Sequence, residues 1–228
     1  MVGAVKRLVK TLAPARWYDP WRQTSYSQDG EDRILARVFE RRAAGRYVDV
    51  GAHHPRRFSN TYLLYRQGWS GINIDATPGS MQAFRRERPR DINLEMGVAE
   101  QPGMLQFHLF DEPALNTFDA ALAKRLHTQG PYRLQKVCNI PVAPLRDVLR
   151  RHLPAGAAVD LLTIDVEGVD LAVLRSNDWS ACRPTVVVVE DGADLGGLLG
   201  DAKTQLLAAQ GYQLFAKTAT SAFFRAAA

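Results

Sequence analysis

The stretch Tyr47-Val48-Asp49-Val50-Gly51-Ala52-His53-His54-Pro55 constrains the fold most: a short apolar run with an aspartate near its end, then one glycine at a corner. Such a run is the signature of a strand buried on both faces, and a buried strand that stops at a glycine before a helix is the ligand-receiving turn of an open α/β sheet. The rest of the chain repeats the pattern. Ser59-Asn60-Thr61 caps a helix over Tyr62–Tyr65, Gly68–Gly71 is a turn, and Ile72–Asp75 is a second strand ending in an acid. A third helix covers Pro78–Arg88 and a third strand Ile92–Val98; strands over Val159–Asp165 and Pro184–Asp191 are separated by a helix that begins near Leu171. A helix over Leu198–Gln210 and strands at Tyr212–Lys217 and Ala222–Arg225 close the chain. This order predicts an α/β fold with a doubly wound, mostly parallel sheet.

Gly103–Leu149 breaks the alternation, with a strand at Met104–Phe110, a helix at Thr117–His127 and a strand at Gln135–Val142. It is an insertion expected to stand over the carboxyl edge of the sheet and to contribute to acceptor recognition. Tyr132 and Arg133 are its candidate contacts, against the plainer reading of an exposed loop. Residues 1–24 form an N-terminal helix and connection, and residues 25–228 one domain, as a chain of 228 residues with 46% hydrophobic and 23% charged composition allows.

Val2, Val5, Leu8, Val9 and Leu12 recur at helical spacing beside Lys6, Arg7 and Lys10. This describes a short basic amphipathic helix that either lies on an anionic membrane surface or packs over the edge of the core. No apolar run approaches the roughly 20 residues of a membrane span, and three cations interrupt the first residues, unlike a secretory signal. Cys138 and Cys182 show no metal-ligand spacing and suit a reducing compartment. The expectation is a cytoplasmic protein, with peripheral contact at the inner membrane face as the membrane-bound alternative. A net charge of +5 is scattered, and the one cluster, Arg85-Arg86-Glu87-Arg88-Pro89-Arg90, reads as a solvated helix end, so no nucleic-acid partner is expected.

Four strand ends carry acids: Asp49, Asp75, Asp165 with Glu167, and Glu190 with Asp191. In a parallel sheet they share one edge, which makes an acidic crevice in a cationic protein. The glycines that let backbone approach a diphosphate are missing after Gly51, so a dinucleotide loses its mechanism. Asp75 remains placed to accept from ribose hydroxyls. A cationic, phosphate-free nucleoside such as S-adenosylmethionine fits a one-glycine corner ringed by acids.

Six motifs in order from about Ser25 to Glu190 then resemble the FkbM family of S-adenosylmethionine-dependent methyltransferases: Ser27-Gln28 with Gly30-Glu31-Asp32, the Tyr47–Pro55 stretch, Ser59-Asn60-Thr61, Gly71–Ala76, Leu115-Asn116-Thr117-Phe118 and Ile164–Asp170. The resemblance implies a class I methyltransferase (Rossmann-like) fold with seven strands, and O-methylation of a hydroxyl on a sugar, glycan or polyketide-type acceptor. It implies that Asp49, Gly51 and Ala52 form the cofactor corner, that Asp75 and its neighbour Ala76 meet the ribose, and that Gln28, Glu31, Ser59 and Asn60 meet the methionine end. Gly97 and Val98 fall to the adenine side. Asp165 faces the methyl group.

A hydroxyl is a poor nucleophile while protonated, so the site needs a base or a Lewis acid. Asp165, Glu167 and His54 are the catalytic candidates. Crowded carboxylates either raise one another's pKa into the range of a base or bind Mg²⁺ or another divalent ion, with His53 and His54 joining Asp165 and Glu167 as ligands. Against this, a histidine after a strand-turn glycine often only orients its loop; His108, His127 and His152 read as packing or surface residues. The competing readings are a metal-dependent hydrolase built on His53, His54, Asp165 and Glu167, and a non-catalytic nucleoside-binding protein.

Overall fold

The computed structural model describes residues 19, 21–154 and 156–227. The N-terminal amphipathic helix expected from the sequence, with Trp17 and Tyr18, lies outside the described residues. After helix α1 (Glu31–Val38) the chain follows β1 (Arg46–Val50), α2 (Tyr62–Arg66), β2 (Ser70–Asp75), α3 (Met81–Glu87) and β3 (Ile92–Glu95). A short strand β4 (Gly97–Val98) leads to β5 (Gly103–Phe110), α4 (Ala120–Gln129), β6 (Leu134–Ala143) and α5 (Leu145–His152). Then come β7 (Leu161–Ile164), α6 (Asp170–Ser176), β8 (Val186–Glu190), α7 (Leu195–Gly200), α8 (Ala202–Ala209), β9 (Tyr212–Lys217) and β10 (Ser221–Ala226).

The main sheet has seven strands in the order β3-β2-β1-β7-β8-β10-β9. The first five are parallel, and β10 runs antiparallel between β8 and β9. The central strands are buried on both faces, which explains their unbroken apolar sequences. Val48, Val50, Ile164, Val187 and Val189 meet α5, α6 and α8 on one side; Tyr47, Leu161, Val186 and Val188 meet Leu35, Leu64 and Trp69 on the other.

Three departures from the sequence reading have physical causes. The expected third strand is two strands: β3 joins the main sheet, but after Met96 the chain swings away and β4 pairs with β6 in a separate three-stranded sheet, β4-β6-β5. Gly97 is the residue that allows this, because a Cβ there would lie 2.5 Å from the Phe118 ring. The insertion therefore ends near Ala143, since Leu145, Val148 and Leu149 of α5 belong to the main core. The expected helix over Leu198–Gln210 is divided at Asp201, whose extended backbone ends α7 and whose carboxylate caps α8 by accepting from the Lys203 N–H at 2.8 Å.

The basic cluster is not uniformly solvated. Arg88 is fully buried and ion-pairs with buried Asp91 at 2.9 Å. Its guanidinium also donates to the Tyr47 hydroxyl (2.7 Å) and to Thr61 (2.8 Å), while Asp91 accepts from Tyr47, Asn73 and the Gly71 N–H. Thr61 in turn donates to Asp49 at 2.6 Å. One cation thus ties the helix α3 end to β1, β2 and the loop that follows Gly51. Burying a charge is tolerable here because each guanidinium nitrogen has an acceptor, Ser59 included, and the charge a counterion. Arg88→Met, which leaves Asp91 buried and unpaired, is expected to lower unfolding stability by about 3–5 kcal/mol in denaturant titration. A loss below about 1 kcal/mol, the size of a surface pair, contradicts this account.

Candidate active site

The site begins where β1 turns. Gly51 has φ +83°, and a Cβ on it would stand 1.7 Å from the Asp165 backbone oxygen. Both conformation and space require glycine. The Gly51 and Ala52 N–H groups donate to the Ile74 carbonyl (2.9 and 3.0 Å), so the corner is sewn to the end of β2. There Asp75 accepts from the His53 N–H at 2.9 Å through one oxygen and from the Thr77 N–H at 2.8 Å through the other. Each oxygen keeps a lone pair, fixed in direction, for further donors.

Beside this corner lies an open cleft at the carboxyl edge of the sheet, with about 510 Å³ of space between its walls, open solvent included. Of the residues expected from the sequence, Gly51, His53, Asp75, Ala76, Gly97, Val98, Asp165 and Glu167 line it. The insertion closes its other side with Phe107, Asn116 and Phe118, so it stands over the sheet edge. Asn116 is held by accepting from the Phe110 N–H (2.7 Å) and donating to Thr77 (3.1 Å). Tyr132 and Arg133 lie between α4 and β6 and are not among the lining residues.

Other expected contacts do not reach the cleft. Asp49 is buried and receives Thr61, and the Ala52 methyl packs on Met81 and Phe84. Ser59 accepts from the Tyr62 N–H that starts α2, and Asn60 donates to Thr163 of β7. Glu31 is buried and accepts from Thr218 in the β9–β10 turn and from the Asp29 N–H, while Gln28 is exposed. Apart from Gln28, these residues shape the wall behind the corner rather than its surface. His54 is placed away from the cleft as well. Its Nδ1 accepts from the backbone N–H groups of Arg56 and Arg57, both at 3.0 Å, so it is a loop cap, and it is not among the residues lining the cleft. Burial holds both histidines below their ordinary pKa, His53 against the opposing pull of Asp75 and His54 against that of Glu87.

Opposite the corner, carboxylate oxygens of Asp165, Glu167 and Glu190 all lie within 4.8 Å of one another. Neither histidine joins a cluster of this kind among the described residues, so the four-ligand set of His53, His54, Asp165 and Glu167 is not assembled. Glu190 ends β8, next to β7, and is the partner that the ligand set taken from the sequence omitted; its place at an acid-tipped strand end was the available signal. Asp191, beside it, turns away to Lys203 at 3.2 Å. Crowding governs the protonation of the three. Desolvation, then the charges of Glu190 and Glu167, raise Asp165 well above the ordinary range; its side chain is nevertheless open to the cleft, so a ligand filling the cleft would complete that desolvation. Desolvation with Glu190 and Asp170 pushes Glu167 up to about 8. Desolvation with Asp170 pushes Glu190 up to about 7, against the opposing pull of Lys203. A carboxyl set that exchanges protons near neutrality is suited to general acid–base work.

Among the described residues, two of the three non-glycine residues with positive φ, His53 (52°) and Glu167 (51°), sit on the two walls of this cleft. Backbone of this kind persists where its surroundings over-determine it.

Over 98% of the chain and 96% of the other, the structure is similar to that of a Klebsiella pneumoniae protein provisionally described as an O-methyltransferase, with 13% identity and a TM-score of 0.45. A TehB-like SAM-dependent methyltransferase from Corynebacterium glutamicum is similar over 99% of this chain and 96% of its own, with 11% identity and a TM-score of 0.43. Likenesses this distant carry no statement about acceptor or mechanism. A comparison with curated proteins gives no match. The profile of the methyltransferase FkbM domain, however, matches residues 49–214, from the aspartate of β1 into β9, and on that match the chain belongs to the FkbM methyltransferase family.

Proposed function

We propose that the protein methylates a hydroxyl oxygen of a sugar, glycan or polyketide-type acceptor, with S-adenosylmethionine as donor and the Asp165–Glu167–Glu190 cluster as the base. The observation that carries the reading is that Asp165 and Glu167 line the same cleft as the Gly51 corner and Asp75, with a Glu190 carboxylate oxygen within 4.8 Å of theirs behind them.

The residues present fit the donor. Gly51 leaves no side chain between β1 and β7, Asp75 offers two oriented carboxylate oxygens to a ribose, and Gly97, Val98 and Phe118 give an apolar wall for a base. No glycine-rich turn for a diphosphate follows Gly51, and the acids favour a cationic ligand. When bound, S-adenosylmethionine supplies an electrophilic methyl group on a sulfonium. The chain supplies the rest. An ionised member of the cluster accepts the acceptor's hydroxyl proton as its oxygen bonds to the methyl carbon and the carbon–sulfur bond breaks. The protonated members can donate hydrogen bonds that orient the same hydroxyl. Asp75 with Met96, Gly97 and Val98 fix the donor, and the insertion, through Phe107 and Asn116, excludes water from above.

The same three carboxyls could also coordinate a divalent ion, and exhaustive chelation separates the two versions: on the base reading, turnover is unchanged. The hydrolase reading has lost its histidine ligands. Among the described residues no helix is long and apolar enough to cross a membrane. A location in the cytoplasm is proposed on the sequence alone, with contact of the N-terminal basic segment at the inner membrane face as the alternative to its packing over the core.

Calorimetric titration is expected to show binding of S-adenosylmethionine, weakened about 10- to 100-fold by Asp75→Ala. Absence of binding to the wild type sinks the reading. Glu190→Gln and Asp165→Asn should each lower kcat by about 100-fold or more in an S-adenosylhomocysteine release assay, with donor affinity retained. Wild-type turnover should rise with pH through the range set by Glu190 near 7 and Glu167 near 8. Stability should move the other way. These folded-state pKa values exceed the ordinary glutamate value of 4.5, so the folded state binds more protons and loses stability as pH rises from 4.5 through 7 to 8. Thermal unfolding midpoints measured across that range should fall in the wild type and fall less in Glu190→Gln; a parallel decline in both contradicts the assignment.

A further inference from the structure

We propose that Thr117, on the insertion, is the positioning residue of the carboxylate cluster: its hydroxyl holds the Glu167 backbone in the left-handed turn that keeps Glu167 facing Asp165 and Glu190. The kinetic part of this inference rests on the function proposed above. The geometry does not.

After β7 the chain must reverse into α6 within a few residues. It does so through two consecutive left-handed positions, Glu167 at φ 51° and Gly168 at φ 96°. Glycine takes that conformation freely, whereas a glutamate does not and needs an external tie. The Thr117 hydroxyl donates to the Glu167 carbonyl oxygen at 2.7 Å. Thr117 is itself immobilised. It is fully buried, exchanges backbone hydrogen bonds with His108 at 2.9 and 3.1 Å, and its hydroxyl oxygen accepts from the Asp119 N–H at 2.8 Å. The oxygen therefore has its hydrogen committed to Glu167, with no competing acceptor needed to satisfy it.

The turn is gripped from both sides. Asp170 accepts from the Val166 N–H at 3.2 Å, and a Cβ on Gly168 would come within 3.2 Å of the Asp119 carboxylate and 3.3 Å of Leu122 at the start of α4. Asp165, Glu190 and Asp170, with Lys203 beyond them, are the charged groups facing the Glu167 side chain and its cluster. Glu190 also accepts from the Glu167 backbone N–H, but the Glu167 carbonyl is held by Thr117. A thread of hydrogen bonds thus runs from the insertion, whose Phe107 and Phe118 line the cleft, to the backbone that carries the proposed base. If Thr117 merely packed the insertion on the core, its loss would change stability without changing how the carboxyls titrate.

Thr117→Val keeps the shape and removes the donor. It is expected to lower kcat by about 10- to 100-fold, with the calorimetric dissociation constant for S-adenosylmethionine within about threefold of wild type and with Thr117→Ser restoring kcat to within about threefold. Carboxyl-carbon NMR titration, run without acceptor, should show the Glu167 and Glu190 midpoints falling towards ordinary glutamate values in Thr117→Val as the cluster loosens, and returning in Thr117→Ser. Gly168→Ala, which disturbs the same turn while leaving Thr117 intact, should give the same titration signature and serves if Thr117→Val fails to fold. Wild-type kcat and midpoints in Thr117→Val, an equal loss in Thr117→Ser, or a kcat loss that follows donor affinity overturns the proposal. If the wild type methylates no hydroxyl acceptor, the functional reading fails by that result, while the titration still decides the role of Thr117.

Discussion

The contact between Gly51 and the Asp165 carbonyl is the constraint on which the site depends. β1 and β7 are neighbours in the sheet, the Asp165 N–H donates to the Val50 carbonyl at 3.0 Å, and the two strands leave the sheet side by side. With no side chain possible at Gly51, one strand end becomes a smooth corner while the next carries an acid. Glu190, at the end of β8 one strand further on, completes the cluster. Corner and acids are therefore adjacent by topology. The crevice outside the carboxyl ends of an open parallel sheet is where such folds bind ligands, and here its charge is set by which residues end the strands.

That arrangement opposes stability, and the rest of the molecule compensates. Three crowded carboxyls destabilise the folded state when they ionise, and His53 and Glu167 occupy conformations that side chains rarely adopt. The Arg88–Asp91 network, buried behind the corner and linked through Thr61 to Asp49, fixes β1, β2 and the following loop against these costs. Asp49, raised to about 6 mainly by its burial, is moderated by that same Arg88. The insertion performs the corresponding task on the opposite wall, where Thr117 grips the Glu167 turn, and its Glu112 pairs with Arg57 of the loop after Gly51.

Much of this was legible in the sequence because it follows from local pattern. Apolar strands with acids at their ends, and the single glycine after Val50, placed Gly51, Asp75, Asp165 and Glu167 at one edge correctly. What was not legible depends on contacts between distant segments. Arg88 lies in a run of cations that reads as solvated, and only the convergence of Tyr47, Thr61 and Asp91 makes its burial tolerable. His54 has the chemistry of a ligand, but the following backbone claims its ring nitrogen. The split of the third strand at Met96 reflects Phe118 packing on Gly97, which no period in the sequence reports. Glu31 and Asn60 belong to motifs that resemble the family, yet in this structure they brace the walls of the site rather than line its cleft, and Gln28 is exposed outside it.

The central claim is that the carboxylate cluster removes a proton from a hydroxyl that becomes methylated. The most direct measurement is NMR of the product formed from methyl-¹³C S-adenosylmethionine with a panel of nucleotide sugars, lipid-linked glycans and macrolides. It should be run with the wild type and with the Asp165→Asn, Glu167→Gln, Glu190→Gln triple variant. The account predicts an oxygen-linked methyl carbon with the wild type and no product with a triple variant that still binds the donor. A methyl group on nitrogen, carbon or sulfur, or undiminished oxygen methylation by the triple variant, would contradict it.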